Sequence, residues 1–274
     1  MKTKILFEDE HILVVYKPAG IATQAAGTMQ MDVVSELRNY LMLTKNKNKG
    51  CDNTFPKNRN DAGKEPYIGL VHRLDQPVEG ILVFAKTSEA AAALSKQAAD
   101  RSLKKEYLAA VLLENHEKGF KAHKENEMVV LTDYLLKDGR TNTSKVVSSW
   151  EKNAKKAVLS YSIMKIVEMG TDSLKMKTEN PTGTKLSGKS IGLLKIQLET
   201  GRHHQIRVQS ANGHMPLLGD LKYGSEESKK VSEALGIRDV ALCARKLIFK
   251  HPKTGKSMEF SISPQKGILN ILTV

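Results

Sequence analysis

The chain carries short, continuous runs of apolar residues that end at glycine, proline or charged residues. Residues 12–15 and 80–85 are two such runs, and the first is followed by Lys17-Pro18-Ala19-Gly20. A short apolar run that ends at a turn is typical of a buried strand. Similar patterns predict further strands at 107–113, 128–136, 145–150, 157–167, 191–198, 240–249 and 258–262.

Helical spacing is found in three places between these strands. Apolar residues recur on one helical face between 31 and 43, and residues 88–99 are rich in alanine, with Ser88 as the predicted N-cap. A third helix is predicted around Ile206 and Val208. No alternation of strand and helix repeats, so the pattern predicts an α+β fold. We expect a mixed or largely antiparallel central sheet with flanking helices and loops, in a single domain over residues 1–274.

Residues 45–64 form a polar stretch that interrupts this pattern. They include six basic residues but only two acids, Asp52 and Asp61, and have little apolar content. Because such a segment buries too little apolar surface to fold, we predict a long mobile loop. Two interpretations stay open: a basic arm that contacts phosphates and becomes ordered on RNA, or a solvated insertion without a role.

The charge balance indicates a polyanionic partner. The 274 residues include 43 Lys and Arg against 30 Asp and Glu, for a formal net charge of +13 at pH 7. Nucleic acid is the usual partner of a protein with such an excess. A surface that is simply rich in lysine gives the same number, so the charge leaves both interpretations open.

The cysteines and the apolar content argue against secreted, zinc-ribbon and membrane-spanning proteins. Cys51 and Cys243 stand alone, without the spacing of a metal site or of a disulfide-rich fold. Glu8, Asp9 and Glu10 interrupt the first apolar run before it reaches the length of a signal peptide. No run approaches the roughly 18 residues of a membrane span. We expect a cytoplasmic protein without a membrane partner, and a monomer because no coiled-coil heptads appear.

Residues 71–77 form the first segment with candidate chemistry. They place His72, Arg73 and Asp75 in a turn directly before the apolar run at 80–85. Loops anchored on buried strands commonly hold reactive groups. An ordinary surface turn with a local ion pair has the same composition, so the segment alone does not decide its role.

The second segment, residues 201–207, begins at a glycine where a strand is predicted to pass into a helix. Its arginines and polar side chains suit anion contacts near a helix start. His203 and His204 are adjacent, and neighbouring side chains diverge on a helix or a strand. With no cysteine or acid at ligand spacing nearby, no metal site is predicted.

Together these segments resemble the signatures of RluA-family pseudouridine synthases. His72-Arg73-Leu74-Asp75 with residues 80–87 resembles the first signature, and residues 201–207 resemble the second. Further matches lie in the family's order at 8–20, 105–109, 219–224 and 247–252, so the resemblance spans about residues 5–262. It implies the pseudouridine synthase fold. Many members carry an N-terminal RNA-binding module of the S4 type, which is not expected here because the sequence starts with the catalytic domain.

Several positions depart from the family pattern. Val78 and Glu79 stand where Thr-Ser is common, His203 where threonine is common, and Gln209 and Cys243 where histidine is common. None of these replaces a residue that the resemblance assigns to the chemistry. We expect them to bear on substrate choice or packing.

The resemblance implies an isomerase that converts specific uridines of ribosomal or transfer RNA to pseudouridine. Uracil is detached from its ribose, rotated and rejoined through carbon, so the reaction requires no cofactor. Asp75 matches the catalytic carboxylate, Tyr107 matches the tyrosine that lies against the target base, and Arg202 matches the arginine that pairs with the aspartate. Whether Asp75 attacks the sugar, attacks the base or acts through proton abstraction stays open.

The target base must leave its stack to be reached. Arg73 resembles the residue that helps to occupy the vacated space. Lys17 and Arg207 are candidates for phosphate contact. The complete set of predicted RNA-binding residues is Arg73, His72, Lys17, His204, Gln205 and Arg207.

Two other functions compete with the synthase. A non-catalytic RNA-binding protein on the same scaffold is expected to lose the aspartate or its arginine partner, and Asp75, Tyr107 and Arg202 are all present. A hydrolase that releases uracil needs a water-activating acid/base pair or a metal, and no second carboxylate is evident beside Asp75.

Overall fold

The computed structural model describes residues 1–25, 27, 30–48, 65–113, 125–169, 186–265 and 267–273. The chain divides into two compact units. The first comprises Met1–Leu103 and Ile248–Glu259, and the second comprises Lys104–Leu247 and Phe260–Val274. The expectation of a single domain stays a prediction beside this division.

The first unit is built on a buried strand that is paired on both sides. Its elements are β1 (Lys4–Glu8), β2 (Ile12–Lys17), α1 (Val33–Asn48), β3 (Gly69–Leu70), β4 (Glu79–Ala85) and α2 (Ser88–Ala99). Strand β2 pairs antiparallel with β1 and with β4, and β3 also pairs antiparallel with β4. The four apolar residues at 12–15 are inaccessible to solvent. A continuous apolar run is expected for a strand buried on both faces.

The helices of the first unit differ slightly from their predicted bounds. Helix α1 continues to Asn48, so the first four residues of the predicted loop at 45–64 are helical, and residues 49–64 lie outside the described part of the chain. The N-cap of α2 is Thr87 instead of Ser88, because the Thr87 hydroxyl accepts a hydrogen bond from the Ala90 N–H. Threonine is itself a favourable capping residue.

The described residues of the second unit form an antiparallel sheet and three helices. Its elements are β5 (Lys104–Leu113), β6 (Val129–Asp138), β7 (Thr143–Val147), β8 (Lys155–Glu168), β9 (Ser190–Leu198), α3 (Gln205–Asn212), α4 (Glu226–Ala234) and α5 (Gly267–Thr273). The strands follow the order β5-β9-β8-β6-β7, and each of these pairings is antiparallel. Val208 of α3 packs with Leu135 and Ala157 of the sheet. This contact fixes the helix that follows the second signature segment.

Two further strands contain residues of both units. They are β10 (Leu242–Lys250) and β11 (Ser257–Ser261), which pair with each other. Antiparallel pairing and scattered helices confirm the predicted α+β class and its largely antiparallel sheet. One predicted strand is too long: β7 ends at Val147, and Trp150 lies in a turn. Among the described residues, no helix is both long and apolar enough to span a membrane.

Candidate active site

Asp75 lies in an irregular segment between β3 and β4, with its side chain partly accessible. The Val78 N–H donates to the Asp75 carbonyl at 3.1 Å and closes the turn that precedes β4. One residue earlier, Leu74 is buried, and both of its backbone polar groups bond to the Thr23 hydroxyl, which donates to the carbonyl at 2.8 Å and accepts from the N–H at 3.1 Å. The backbone on each side of the carboxylate is therefore fixed.

Lys17 fixes the same turn from the end of β2. Its side chain is 0% exposed, and its ammonium donates to the carbonyls of Pro18, Ile21 and Gln76 at 3.0, 2.7 and 3.1 Å. A lysine ammonium has three donors, and here it gathers carbonyls from two segments of the chain. Lys17 thus lies next to the Asp75 turn, and its charge faces protein carbonyls. The predicted phosphate contact of Lys17 stays a prediction.

The two residues before Leu74 have different environments. The His72 Nε2 atom accepts a hydrogen bond from the Val83 N–H of β4 at 3.3 Å, which ties the segment to the strand. Arg73 is exposed to solvent. An exposed arginine two residues before Asp75 in the chain suits the predicted role of Arg73 in filling the space of a flipped base.

In the second unit, Gln205 organises the residues that lead into α3. Its side-chain oxygen accepts from the Thr200 hydroxyl at 2.8 Å and from the Arg202 N–H at 2.9 Å, and its amide nitrogen donates to the Val158 carbonyl at 3.1 Å. The Thr200 hydroxyl also accepts from the Val158 N–H at 2.8 Å. Gln205 is buried, so the structure gives it these contacts within the protein, and its predicted contact with RNA stays a prediction.

His204 is the N-cap of α3 and has a left-handed backbone conformation with φ of +54°. This conformation is uncommon for a residue other than glycine. The His204 Nδ1 atom lies 2.6 Å from the Tyr223 hydroxyl, and its ring stacks on the His203 ring at 3.7 Å. His203 in turn contacts the Ser144 hydroxyl at 2.9 Å through Nδ1. The two histidines therefore join the start of α3 to β7.

Arg207 is buried and forms a two-point ion pair with Asp220. Its Nε and Nη2 atoms donate to the two carboxylate oxygens at 2.7 Å each. Asp220 also accepts from the N–H groups of Lys222 and Tyr223 at 3.0 and 3.1 Å. The guanidinium carbon lies 5.0 Å from the centre of the Tyr223 ring. Gly219 has a φ of +75°, and a β-carbon there would collide with the Asp239 carbonyl, so the approach to Asp220 requires glycine.

Arg202, five residues earlier, has the opposite environment. It is exposed, and its Nε atom donates to the Lys156 carbonyl at 2.9 Å. Strand β9 ends at Leu198, and just after it the Glu199 N–H donates to the Val158 carbonyl of β8. The Arg202 side chain bonds to β8 in the same way, two residues earlier along that strand. The predicted pairing of Arg202 with the catalytic carboxylate stays a prediction.

Tyr107 is a buried residue of β5, opposite Ile196 of β9. Lys105 lies two residues earlier and so shares its face of the strand. Burial lowers the pKa of the Lys105 ammonium from its ordinary value. Its Nζ atom approaches Gly201, where a β-carbon would lie 3.7 Å from it.

The structure thus groups the predicted residues around two centres. His72, Arg73 and Lys17 surround the Asp75 turn in the first unit, whereas Arg202, His204, Gln205 and Arg207 surround the start of α3 in the second. The sequence patterns gave no role to Lys105, Asp220 or Tyr223, although all three lie in the quoted motifs. Their position inside those motifs was the available signal.

Comparisons with known proteins match most of the chain. Residues 11–212 match the family model described as RNA pseudouridylate synthase. The chain is 33% identical over 262 residues to ribosomal large subunit pseudouridine synthase D of Zymomonas mobilis, covering 94% of this chain and 68% of that protein. It is 30% identical over 264 residues to tRNA pseudouridine synthase C of Haemophilus ducreyi, covering 95% of this chain and 90% of that protein.

The fold is also similar to that of solved human structures. The structure named human RNA Pseudouridylate Synthase Domain Containing 1 superposes with a TM-score of 0.63 at 19% identity, covering 96% of this chain and 83% of that one. Human RNA Pseudouridylate Synthase Domain Containing 4 gives the same score and identity, covering 98% and 90%. At this identity the likeness concerns the fold alone.

Proposed function

The chain belongs to the RNA pseudouridylate synthase family and is an isomerase that acts on RNA, and from this premise we propose that Asp75 is its catalytic carboxylate. The observation that carries the proposal is the fixed turn around Asp75. Thr23 holds Leu74 at both backbone groups, and Lys17 holds the Gln76 carbonyl. A carboxylate that must meet one face of a ribose or a base gains from such prior positioning.

The substrate in this proposal is a small number of uridines in ribosomal or transfer RNA. Relatives named for each of these RNAs match at 30 to 33% identity, and the identities alone do not favour one over the other. The formal net charge of +13 suits either RNA. We further propose that the protein is cytoplasmic and that it acts as a monomer. Light scattering coupled to gel filtration tests the oligomeric state.

Tyr107 and Arg202 complete the proposed catalytic set. Tyr107 stacks against the target base, and Arg202 pairs with Asp75. Without a cation, a carboxylate placed beside uracil in a dry pocket gains a proton, because desolvation disfavours its charge. The Nε atom of Arg202 bonds to the Lys156 carbonyl, and the other guanidinium donors of an arginine serve for a carboxylate.

Arg207 is the second candidate for the partner of Asp75, and its burial favours it. An arginine that opposes a carboxylate in a dry pocket must itself leave solvent, as Arg207 does and Arg202 does not. The two assignments differ in what Arg202→Gln does to turnover.

The experiment is a pseudouridine map of ribosomal and transfer RNA from a strain that lacks the gene. Complementation with the wild-type chain restores one or a few sites, whereas Asp75→Asn restores none although its melting temperature is unchanged. Arg202→Gln fails in the same way if Arg202 is the partner of Asp75, and full restoration by it transfers that role to Arg207. Sites that never disappear in the deletion strain contradict the proposal, and release of free uracil from purified RNA indicates a hydrolase instead.

A further inference from the structure

Trp150 is the single tryptophan of the chain and is 85% exposed. No other exposed large hydrophobic residue of the described ranges shows so much of its surface to solvent. Tryptophan is usually well buried, and it is enriched at binding surfaces because its ring offers a large, rigid contact area. An indole left in water is therefore a feature to be explained.

The turn that carries the indole is ordered. The Glu151 N–H donates to the Ser148 carbonyl at 3.1 Å, and the Ala154 N–H donates to the Glu151 carbonyl at 3.0 Å. Asn153 has a left-handed backbone conformation, with φ of +67°. The turn connects β7 to β8, and both of these strands pair with β6. We call residues 148–156, which are this turn and the first two residues of β8, the tryptophan turn, since the segment presents Trp150 to solvent in a defined position.

Positively charged residues lie close to Trp150 in the sequence. Lys152, Lys155 and Lys156 belong to the tryptophan turn and are exposed, and none of them forms an ion pair with a described carboxylate. Exposed Arg202 joins them through its hydrogen bond to the Lys156 carbonyl. The turn contains one acid, Glu151. The tryptophan turn therefore combines one flat aromatic surface with a local excess of positive charge.

This combination favours nucleic acid over a protein partner. A single exposed apolar side chain is by itself unremarkable, and a protein-binding patch needs further apolar residues around its aromatic anchor. The neighbours of Trp150 in the turn are instead Ser148, Ser149, Glu151 and Lys152. An aromatic ring in one chain segment with exposed cations is an arrangement by which proteins bind single-stranded RNA, with bases stacked on the ring and phosphates held by the cations.

We propose that Trp150 stacks on an unpaired base of the substrate RNA, while Lys152, Lys155 and Lys156 contact its phosphates. The inference rests on the proposed function, since it assumes an RNA substrate with an unpaired base. The base concerned is not the isomerised uridine, whose stacking partner is Tyr107. The tryptophan turn adds a recognition site that selects substrates with an unpaired nucleotide at a fixed place.

The test uses the indole itself as the probe. Because Trp150 is the single tryptophan, its fluorescence reports on this turn without labelling. Asp75→Asn protein, which binds without turnover, is titrated with a short unstructured oligoribonucleotide and with the RNA found by the map. Stacking quenches the emission of Trp150, whereas contacts elsewhere leave it unchanged.

Substitutions then measure the contribution of the indole. Trp150→Ala weakens binding of the substrate RNA about tenfold, as expected for the loss of one stacked base, and raises KM more than it lowers kcat. Trp150→Phe restores part of the loss because it keeps an aromatic face. Val130→Ala, on an exposed residue of β6 with apolar neighbours, is the matched control and binds like the wild type.

The outcomes separate this inference from the proposed function. Unquenched emission together with equal KM values for wild type and Trp150→Ala overturns the inference while the synthase stays active. Pseudouridine sites that all persist in the deletion strain overturn the proposed function, and quenching by RNA then still supports an RNA-binding tryptophan turn. Equal binding by Trp150→Ala and Trp150→Phe, both weaker than the wild type, indicates a steric role and also overturns stacking.

Discussion

The Asp75 turn in the first unit and the start of α3 in the second are both held by a buried cation, but the two cations bond to different acceptors. Lys17 donates to three backbone carbonyls, whereas Arg207 pairs with both oxygens of the Asp220 carboxylate. A compact ammonium suits carbonyls that converge from several directions, and a planar guanidinium suits a carboxylate. The first arrangement fixes the course of a loop, and the second joins a helix to the segment that follows it.

In each region a threonine hydroxyl also forms hydrogen bonds that hold the same segment as the cation. Thr23 bridges both backbone groups of Leu74, and Thr200 bridges Val158 and Gln205. The two signature segments therefore use the same pair of residue types, a buried cation and a threonine, with different partners. The comparison teaches that a cation beside a catalytic signature can serve the protein's own backbone.

The largest effect is expected from breaking the ion pair of the second unit. Arg207→Met leaves the Asp220 carboxylate buried without its partner, so the free energy of unfolding should fall by about 3–5 kcal/mol. Urea denaturation followed by circular dichroism measures it. The double variant Arg207→Met with Asp220→Leu is the control and should recover much of the loss. A single variant as stable as the wild type would show that the pair contributes little.

A smaller loss of stability is expected when the cation of the first unit is removed. Lys17→Met keeps the length of the side chain but leaves three carbonyls without this donor, at a cost of about 2–3 kcal/mol. Turnover should fall further than stability explains, because the Asp75 turn loses its support. Lys17→Arg should not restore it, since a planar fork does not fit converging carbonyls.

Lys17→Met also distinguishes a structural role of Lys17 from its predicted phosphate contact. A phosphate contact predicts weaker RNA binding, with a salt dependence reduced by about one ion, and normal stability. A structural role predicts lower stability, with the salt dependence of RNA binding unchanged. RNA affinity measured across a series of salt concentrations, beside the denaturation curves, distinguishes them.

The smallest effects are expected at the two threonines. Thr23→Val and Thr200→Val each remove hydroxyl hydrogen bonds to the backbone and should each cost about 1–2 kcal/mol of stability. Thr23→Val should also lower kcat, since Thr23 bonds directly beside Asp75. Thr23→Ser and Thr200→Ser retain the hydroxyl and are the controls. A loss of stability in the serine variant with none in the valine variant would assign the effect to the methyl group instead.

The fold class could be predicted from the sequence because the buried strands appear in it as continuous runs of apolar residues. The runs at 12–15 and 80–85 are continuous because β2 and β4 are covered on both faces. The end of β7 could not be predicted in the same way. Trp150 reads as a strand residue by its propensity, and only the hydrogen bonds of the turn show that the strand has already ended.

The candidate site was located by the motifs, but the contacts of its residues were not. A lysine or an arginine in the sequence does not reveal whether its side chain binds a phosphate, a carbonyl or a carboxylate. The partners of Lys17 and Arg207 lie 59 and 13 residues away at Gln76 and Asp220, and no local pattern connects them. The same limit applies to the exposed Arg202 and the buried Gln205.

The discontinuity of the first unit has a consequence for the order in which the protein is made. Asp9 accepts a hydrogen bond from the Ile12 N–H nearby, but it also contacts His251, 242 residues later, at 2.7 Å. Gln97 likewise bonds to the backbone of Lys250. A ribosome builds the chain from its N-terminus, so the second unit up to Leu247 is synthesised before these partners exist. The unit that contains Asp75 is therefore completed only after residues 104–247 of the second unit have been made.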